Sequence, residues 1–214
     1  MVDHIVRVQP QSILDVGVGF GKWGFLCREF LEVAQGRYRP VEWSVRIDGV
    51  EAQEQYRNVI HESFYNKIHY GLIQDLLSSL GTYDLVIMGD VIEHFDKATG
   101  LALLTGLRQR SRYVLLSSPV WFFQQSHEDN PYQEHRSLWG LRDFKGLRFE
   151  YDEYLAYIFV ALVEGELPHD IHLDPRPSQI AYRFTSIRRR PKLASLFKSL
   201  TRRLLFRPAF AGAE

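Results

Sequence analysis

Apolar positions along the chain change their period several times, and each change marks an element. Ser12 to Val16 is a short apolar run that breaks into glycines, the pattern of a buried strand entering a tight loop. From Lys22 to Ala34, Phe25, Leu26, Phe30, Leu31 and Val33 recur at helical spacing, so the glycines stand between a strand and a helix. Trp43 to Val50 predicts a second strand ending at Glu51. A polar, helix-compatible stretch to about Tyr65 and a short third strand from Lys67 to Tyr70 follow. Tyr83 to Met88 (YDLVIM) predicts a buried strand, Thr99 to Arg110 a helix and Tyr113 to Ser117 the next strand. Strands alternating with helices imply a mostly parallel sheet covered on both faces.

The pattern changes after Pro119. Trp121 to Gly140 is rich in aromatic, amide and histidine residues without a clear period, and it is too long for an ordinary connection. A lid insertion over about 120–140 is the expectation. Leu147 to Val163 is β-prone, with a turn expected around Asp152-Glu153, and supplies the antiparallel end of the sheet. Gly165 to Pro177 predicts a polar loop and Ile180 to Ile187 one further edge strand. The fold class expected is α/β, a Rossmann-like seven-stranded sheet with an antiparallel C-terminal strand. It occupies 1–187, and 188–214 form a basic amphipathic tail.

Composition adds little to this and excludes more. A hydrophobic content of 45% and a charged content of 24% are ordinary globular values. No segment has the roughly 18 apolar residues needed to span a bilayer. One cysteine, Cys27, excludes an internal disulfide and fits the cytoplasm. The net charge of zero is uneven: from Ser186 onward eight basic residues face one acid, a net +7, which leaves −7 for the rest. A body this acidic disfavours nucleic acid as a partner. Leu193, Leu196, Phe197, Leu200 and Leu204 form one helical stripe in the tail. That stripe fits packing on the body or on a second copy in a homodimer, with peripheral contact at the inner membrane surface as the alternative.

The chemistry begins at Asp15-Val-Gly17-Val-Gly19-Phe-Gly21. A strand–glycine–helix junction lets backbone amides approach a ligand closely. Gly19-x-Gly21-x-x-Gly24 also satisfies the dinucleotide fingerprint, whose acid is expected about 20 residues on. Glu51 lies later than that, and Asp15 stands where such folds carry an apolar strand residue. An NAD-dependent oxidoreductase is therefore the rival reading, and a non-catalytic Rossmann-like binding module a second. Three ordered segments tip the balance: ILDVGVGFGKWG resembles motif I of class I S-adenosylmethionine-dependent methyltransferases, Glu51 in IDGVEA matches their ribose-binding acid, and YDLVIMGDVIEHF resembles their fourth-strand motif.

The resemblance implies S-adenosyl-L-methionine as the cofactor. It implies that Asp15 orients the loop and takes the methionine ammonium. Gly17 and Gly19, with Gly21, offer backbone approach, Glu51 accepts from the ribose diol, Asp90 lies beside the sulfonium, and Asp75 is the candidate for adenine. The function expected is methyl transfer to a small-molecule or saccharide acceptor, at oxygen rather than at nitrogen or carbon. A protonated, poorly acidic acceptor such as a sugar hydroxyl or an amine needs its proton removed, for which His94 and His135 are the candidate bases. Trp121, Phe123, Tyr132 and Trp139 are candidate walls of the acceptor pocket. Two polar clusters, His127, Glu128, Asp129 and His135, and His169, Asp170, His172 and Asp174, lack a recognised ligand spacing, so no metal is expected.

Overall fold

The computed structural model describes residues 1–121, 131–154 and 157–173. Phe123, the loop residues 127–129, Asp174, the expected strand from Ile180 to Ile187 and the basic tail lie outside them.

Seven strands form one sheet: β1 (Ser12–Val16), β2 (Arg46–Glu51), β3 (Lys67–Tyr70), β4 (Tyr83–Gly89), β5 (Ser111–Pro119), β6 (Phe149–Tyr154) and β7 (Ile158–Glu164), in the order β3-β2-β1-β4-β5-β7-β6. β1 to β5 pair in parallel, and β7 runs antiparallel to both β5 and β6. This is the expected seven-stranded, mostly parallel sheet with an antiparallel C-terminal strand. The turn predicted at Asp152-Glu153 is not there. β6 continues through both residues, with Asp152 paired to Val160 and Glu153 to Phe159, and the chain reverses between Tyr154 and Ile158. Both acids obey the strand period: half-buried Asp152 lies on the opposite strand face from buried Glu153, which accepts the Tyr151 hydroxyl at 2.9 Å.

Period-2 alternation divides the core between the two faces of the sheet. On β4, Leu85 and Ile87 point to the face covered by α1 (Val2–Val8) and α2 (Lys22–Leu31), where they meet Ile5, Cys27 and Leu31. Val86 and Met88 point to the face covered by α5 (Lys97–Arg108), against Leu103, Leu104 and Leu107. All four β4 side chains are fully buried, each contributing about 2 kcal/mol of apolar transfer free energy. The short α3 (Val59–Phe64) starts at Asn58, whose side chain accepts from Ile60 N and His61 N. α4 (Ile73–Leu76) is one turn long. Nothing in the hydrophobic pattern marks α1, which is held by burial of Ile5 and by the Arg7–Glu150 ion pair to β6 at 2.6 Å. Among the described residues no helix is long and apolar enough to cross a membrane.

Register places the site. Val16 pairs with Val50, Glu51 with Tyr70 and Gly89 with Ser117, so the carboxyl ends of the parallel strands lie along one edge. From β1 the chain winds outward to β3 and then returns to β4 on the other side of β1. That reversal opens the crevice in which α/β sheets hold ligands.

Candidate functional site

At the end of β1 the chain turns under three glycines with positive φ: Gly17 at +76°, Gly19 at +53° and Gly21 at +105°. Gly17 and Gly19 line the crevice. A Cβ on Gly17 would meet Val91 Cγ2 at 2.4 Å, whereas one on Gly19 would meet no side chain, leaving that position open to a ligand. Gly21 does not line the crevice. It caps α2, and a Cβ there would strike Ile60 at 2.6 Å, so its role is the turn itself.

Asp15 is fully buried beneath this loop and does not reach the crevice. Its Oδ2 accepts the Tyr65 hydroxyl at 2.6 Å, and the Tyr65 oxygen in turn accepts Gly24 N–H at 2.9 Å, tying β1 to the first turn of α2. Gly24 has to be glycine, because a Cβ would lie 2.3 Å from the Tyr65 ring. Burial pushes the Asp15 carboxyl up to about 7 against the opposing pull of the Tyr65 hydrogen bond and the Lys22 charge. Asp15 Oδ1 has no hydrogen-bond partner among the described residues. Of the two roles expected for Asp15, orientation of the loop is what this geometry serves.

Glu51 stands at the C-terminus of β2 in the crevice wall, 5% exposed. Gly19 N–H donates to its Oε2 at 2.7 Å and Gln53 N–H to its Oε1 at 2.8 Å. The two bonds fix the carboxylate's plane, and each oxygen keeps a second lone pair for a donor in the crevice. Beyond it the wall continues through Ala52, Leu72, Ile73 and Gln74. Asp75 is outside this wall. It is exposed in the single turn of α4, one position past Gln74, and does not line the crevice.

The other end of the crevice is built around the end of β4. Asp90 lines it with φ +59°, unusual for a non-glycine residue. Its Oδ1 accepts the Ser117 hydroxyl at 3.1 Å, and Lys22 Nζ lies 3.8 Å from Oδ2. A 3-10 turn over Ile92–His94 then places His94 in the crevice wall, with Nδ1 3.3 Å from the Glu134 carbonyl. His135 lies against it, ring centroids 5.1 Å apart. Burial depresses the basicity of both imidazoles, and for His135 the neighbouring His94 adds to the effect, so both are neutral near pH 7.

What brings His135 there is backbone. The Glu93 carbonyl accepts Arg136 N–H at 2.8 Å and Ser137 N–H at 3.1 Å, which hangs the segment after the expected lid on the end of β4. Trp139 anchors that segment from below. It is 1% exposed, donates to Ser137 Oγ at 2.8 Å and packs against Gly100 of α5, where a Cβ would approach its ring to 2.5 Å. Trp139 is therefore a core residue, which corrects its expected place in the acceptor wall. Trp121 packs against the same core cluster and does not line the crevice. Of the four aromatics expected there, Tyr132 does line it. Tyr56, Phe95, Gln133 and Arg136 line this end without having been singled out in the sequence. Gln133 Nε2 lies 3.5 Å from the Tyr56 hydroxyl.

Glu93 is a further residue that the sequence does not single out. It is 2% exposed, its Oε2 accepts no hydrogen bond among the described residues, and burial pushes its carboxyl up to about 8, with Asp90 adding to the shift. One of its carboxylate oxygens and one ring nitrogen each of His94 and His135 lie within 4.8 Å of one another. A second such group joins Glu164, His169 and His172 at the far end of β7. In that group Glu164 is already held by Arg148 at 3.1 Å and by Leu173 N–H at 2.5 Å.

No family model matches the sequence, and no curated protein matches it. The fold, by contrast, has solved counterparts. The N-terminal domain of EvdMO1, solved in the presence of SAH and D-fucose, is similar with a TM-score of 0.53 at 15% identity, over 78% of this chain and 81% of that one. The plantazolicin methyltransferase BpumL in complex with SAH gives 0.53 at 14% identity, over 77% and 82%. TehB from Haemophilus influenzae gives 0.55 at 14% identity, over 77% of this chain and 61% of TehB. The fold is that of the class I S-adenosylmethionine-dependent methyltransferases.

Proposed function

We propose that this chain transfers a methyl group from S-adenosyl-L-methionine to a hydroxyl of a small-molecule or saccharide acceptor. The observation that carries the reading is the Glu51 carboxylate, held edge-on by Gly19 N–H and Gln53 N–H in the wall of a crevice that also contains bare Gly17 and Gly19. A carboxylate so fixed suits the paired donors of a ribose diol. The sheet order, with β7 inserted antiparallel between β5 and β6, departs from the all-parallel 3-2-1-4-5-6 dinucleotide arrangement and so weighs against NAD. The residues present fit the cofactor: Gly17 and Gly19 leave backbone open to the methionine part, Asp15 and Tyr65 hold that loop from beneath, and Leu72, Ile73 and Gln74 form a slot for the base, with Gln74 replacing Asp75 as its polar contact.

The sulfonium of the bound cofactor supplies an already activated methyl group, so the protein's work is alignment and the exclusion of water. Asp90, oriented by Ser117, marks the boundary between the cofactor end and the acceptor end. The neutral His94 imidazole in the crevice wall, with the neutral His135 ring against it, suits an acceptor whose proton has to be removed, such as a sugar hydroxyl. The crystallisation of the EvdMO1 domain with D-fucose agrees with a saccharide. Calorimetric titration of the purified chain with S-adenosylhomocysteine and, separately, with NAD tests the reading. Binding of S-adenosylhomocysteine that is lost in Glu51→Ala is expected; NAD binding without it overturns the proposal.

A further inference from the structure

We infer that Glu93, His94 and His135 form a binding site for a divalent first-row transition cation at the acceptor end of the crevice. Three donors of suitable type converge there, with one ligand atom from each within 4.8 Å of the others. Tetrahedral ligands at roughly 2.0–2.1 Å from zinc stand about 3.4 Å apart, so a shift of little more than about 1 Å closes the site. The independent observation is Glu93 itself: a carboxyl group 2% exposed, whose Oε2 has no hydrogen-bond partner among the described residues, is costly to bury in its ionised form unless a cation meets it. His94 is also poised in the way metal-ligating histidines are. A carbonyl can only accept, so Nδ1–H donates to Glu134 O and leaves Nε2 with its lone pair. Two imidazoles and one carboxylate favour zinc, manganese or iron over magnesium or calcium.

Three protein ligands leave a coordination position open. His94 lines the crevice, and the class of ligand that fits the open position is an oxygen of the acceptor. A cation would lower the pKa of a hydroxyl bound to it, so that the hydroxyl proton could pass to water in the crevice without a free imidazole to accept it. This step rests on the proposed function for the presence of an acceptor, whereas cation binding does not. The Glu164 group is the internal comparison. It offers the same donor types, but its carboxylate is already engaged by Arg148 and by Leu173 N–H, so no site is assigned there.

The test uses the full chain, stripped with a chelator and titrated with Co2+ alone and then with Zn2+ in competition. One equivalent of Co2+ is expected to give a visible d–d absorption that Zn2+ abolishes. Glu93→Gln and His135→Ala are expected to weaken Co2+ binding at least tenfold, while His169→Ala leaves it unchanged. S-adenosylhomocysteine affinity, measured on the same samples, is expected to hold within threefold in His135→Ala, which also reports that the variant is folded. Absence of Co2+ absorption overturns the inference, as does a signal that survives Glu93→Gln and His135→Ala. Either result would leave the cofactor reading standing if S-adenosylhomocysteine still binds.

Discussion

The two ends of the crevice are made by different means. The cofactor end comes from the carboxyl ends of β1 and β2, and its donors and acceptors are set by sheet register: Val16 opposite Val50, with Glu51 one step further along β2. The acceptor end joins residues some forty positions apart, His94 and His135, through two backbone bonds to the Glu93 carbonyl and one buried tryptophan. The first arrangement is rigid because each strand is paired on both sides. The second can be altered by changing a few tertiary contacts, which is how one fold serves many acceptors while keeping one cofactor.

This contrast is open to attack from several directions. Trp139→Ala should cost about 3–5 kcal/mol of stability, since it empties a fully buried aromatic site. Below the melting transition it should leave S-adenosylhomocysteine affinity nearly unchanged; urea unfolding and calorimetry together check this. A loss of cofactor affinity as large as the loss of stability would show that the two ends are not separable.

Asp15→Asn probes the cofactor end through pH. The folded-state pKa of Asp15, about 7, lies above the unfolded value of 3.8. Its protonated form therefore favours the folded state below the unfolded pKa, and that contribution is lost as pH rises through about 7. Urea unfolding should show the Asp15→Asn variant gaining on the wild type between about pH 4 and pH 8 by at most about 4 kcal/mol, from roughly 1.4 kcal/mol per pKa unit. A constant difference across that range would mean Asp15 is ionised throughout.

Glu51→Gln should be smaller, weakening S-adenosylhomocysteine by about 100-fold, or about 2–3 kcal/mol, as expected when charged acceptors become neutral. Calorimetry at fixed pH reads it directly. The smallest effects are expected at the adenine slot. Gln74→Ala should cost about threefold in affinity and Asp75→Ala nothing measurable, so a larger effect at Asp75 than at Gln74 would restore the assignment based on sequence.

The legibility of the sequence follows the same division. Strands β1 and β4 are readable because buried parallel strands are largely apolar runs, and here each ends at glycine, as at Val16-Gly17 and Met88-Gly89. Helix α1 is not, because seven residues carry too few turns for a period to emerge and its stability is tertiary. Tyr65 carries no signal as the partner of Asp15, since fifty residues separate them. Trp139 is misplaced by sequence because an aromatic side chain in an aperiodic segment has the same composition whether it faces a ligand or the core. Glu93 is visible only as half of a Glu-His pair. Its importance depends on burial, which sequence spacing does not report.

The placement of β7 bears on how the chain assembles during synthesis. β1 to β5 can pair as each emerges, but β6, although made first, is joined to the sheet only through β7. Until residue 164 has been made, the flank of β5 is an unpaired, apolar strand edge, and such edges recruit other chains. The β6–β7 hairpin then closes that flank in a single docking event. A nascent chain stalled near Tyr154 is thus expected to need chaperone protection that one released after Glu164 does not.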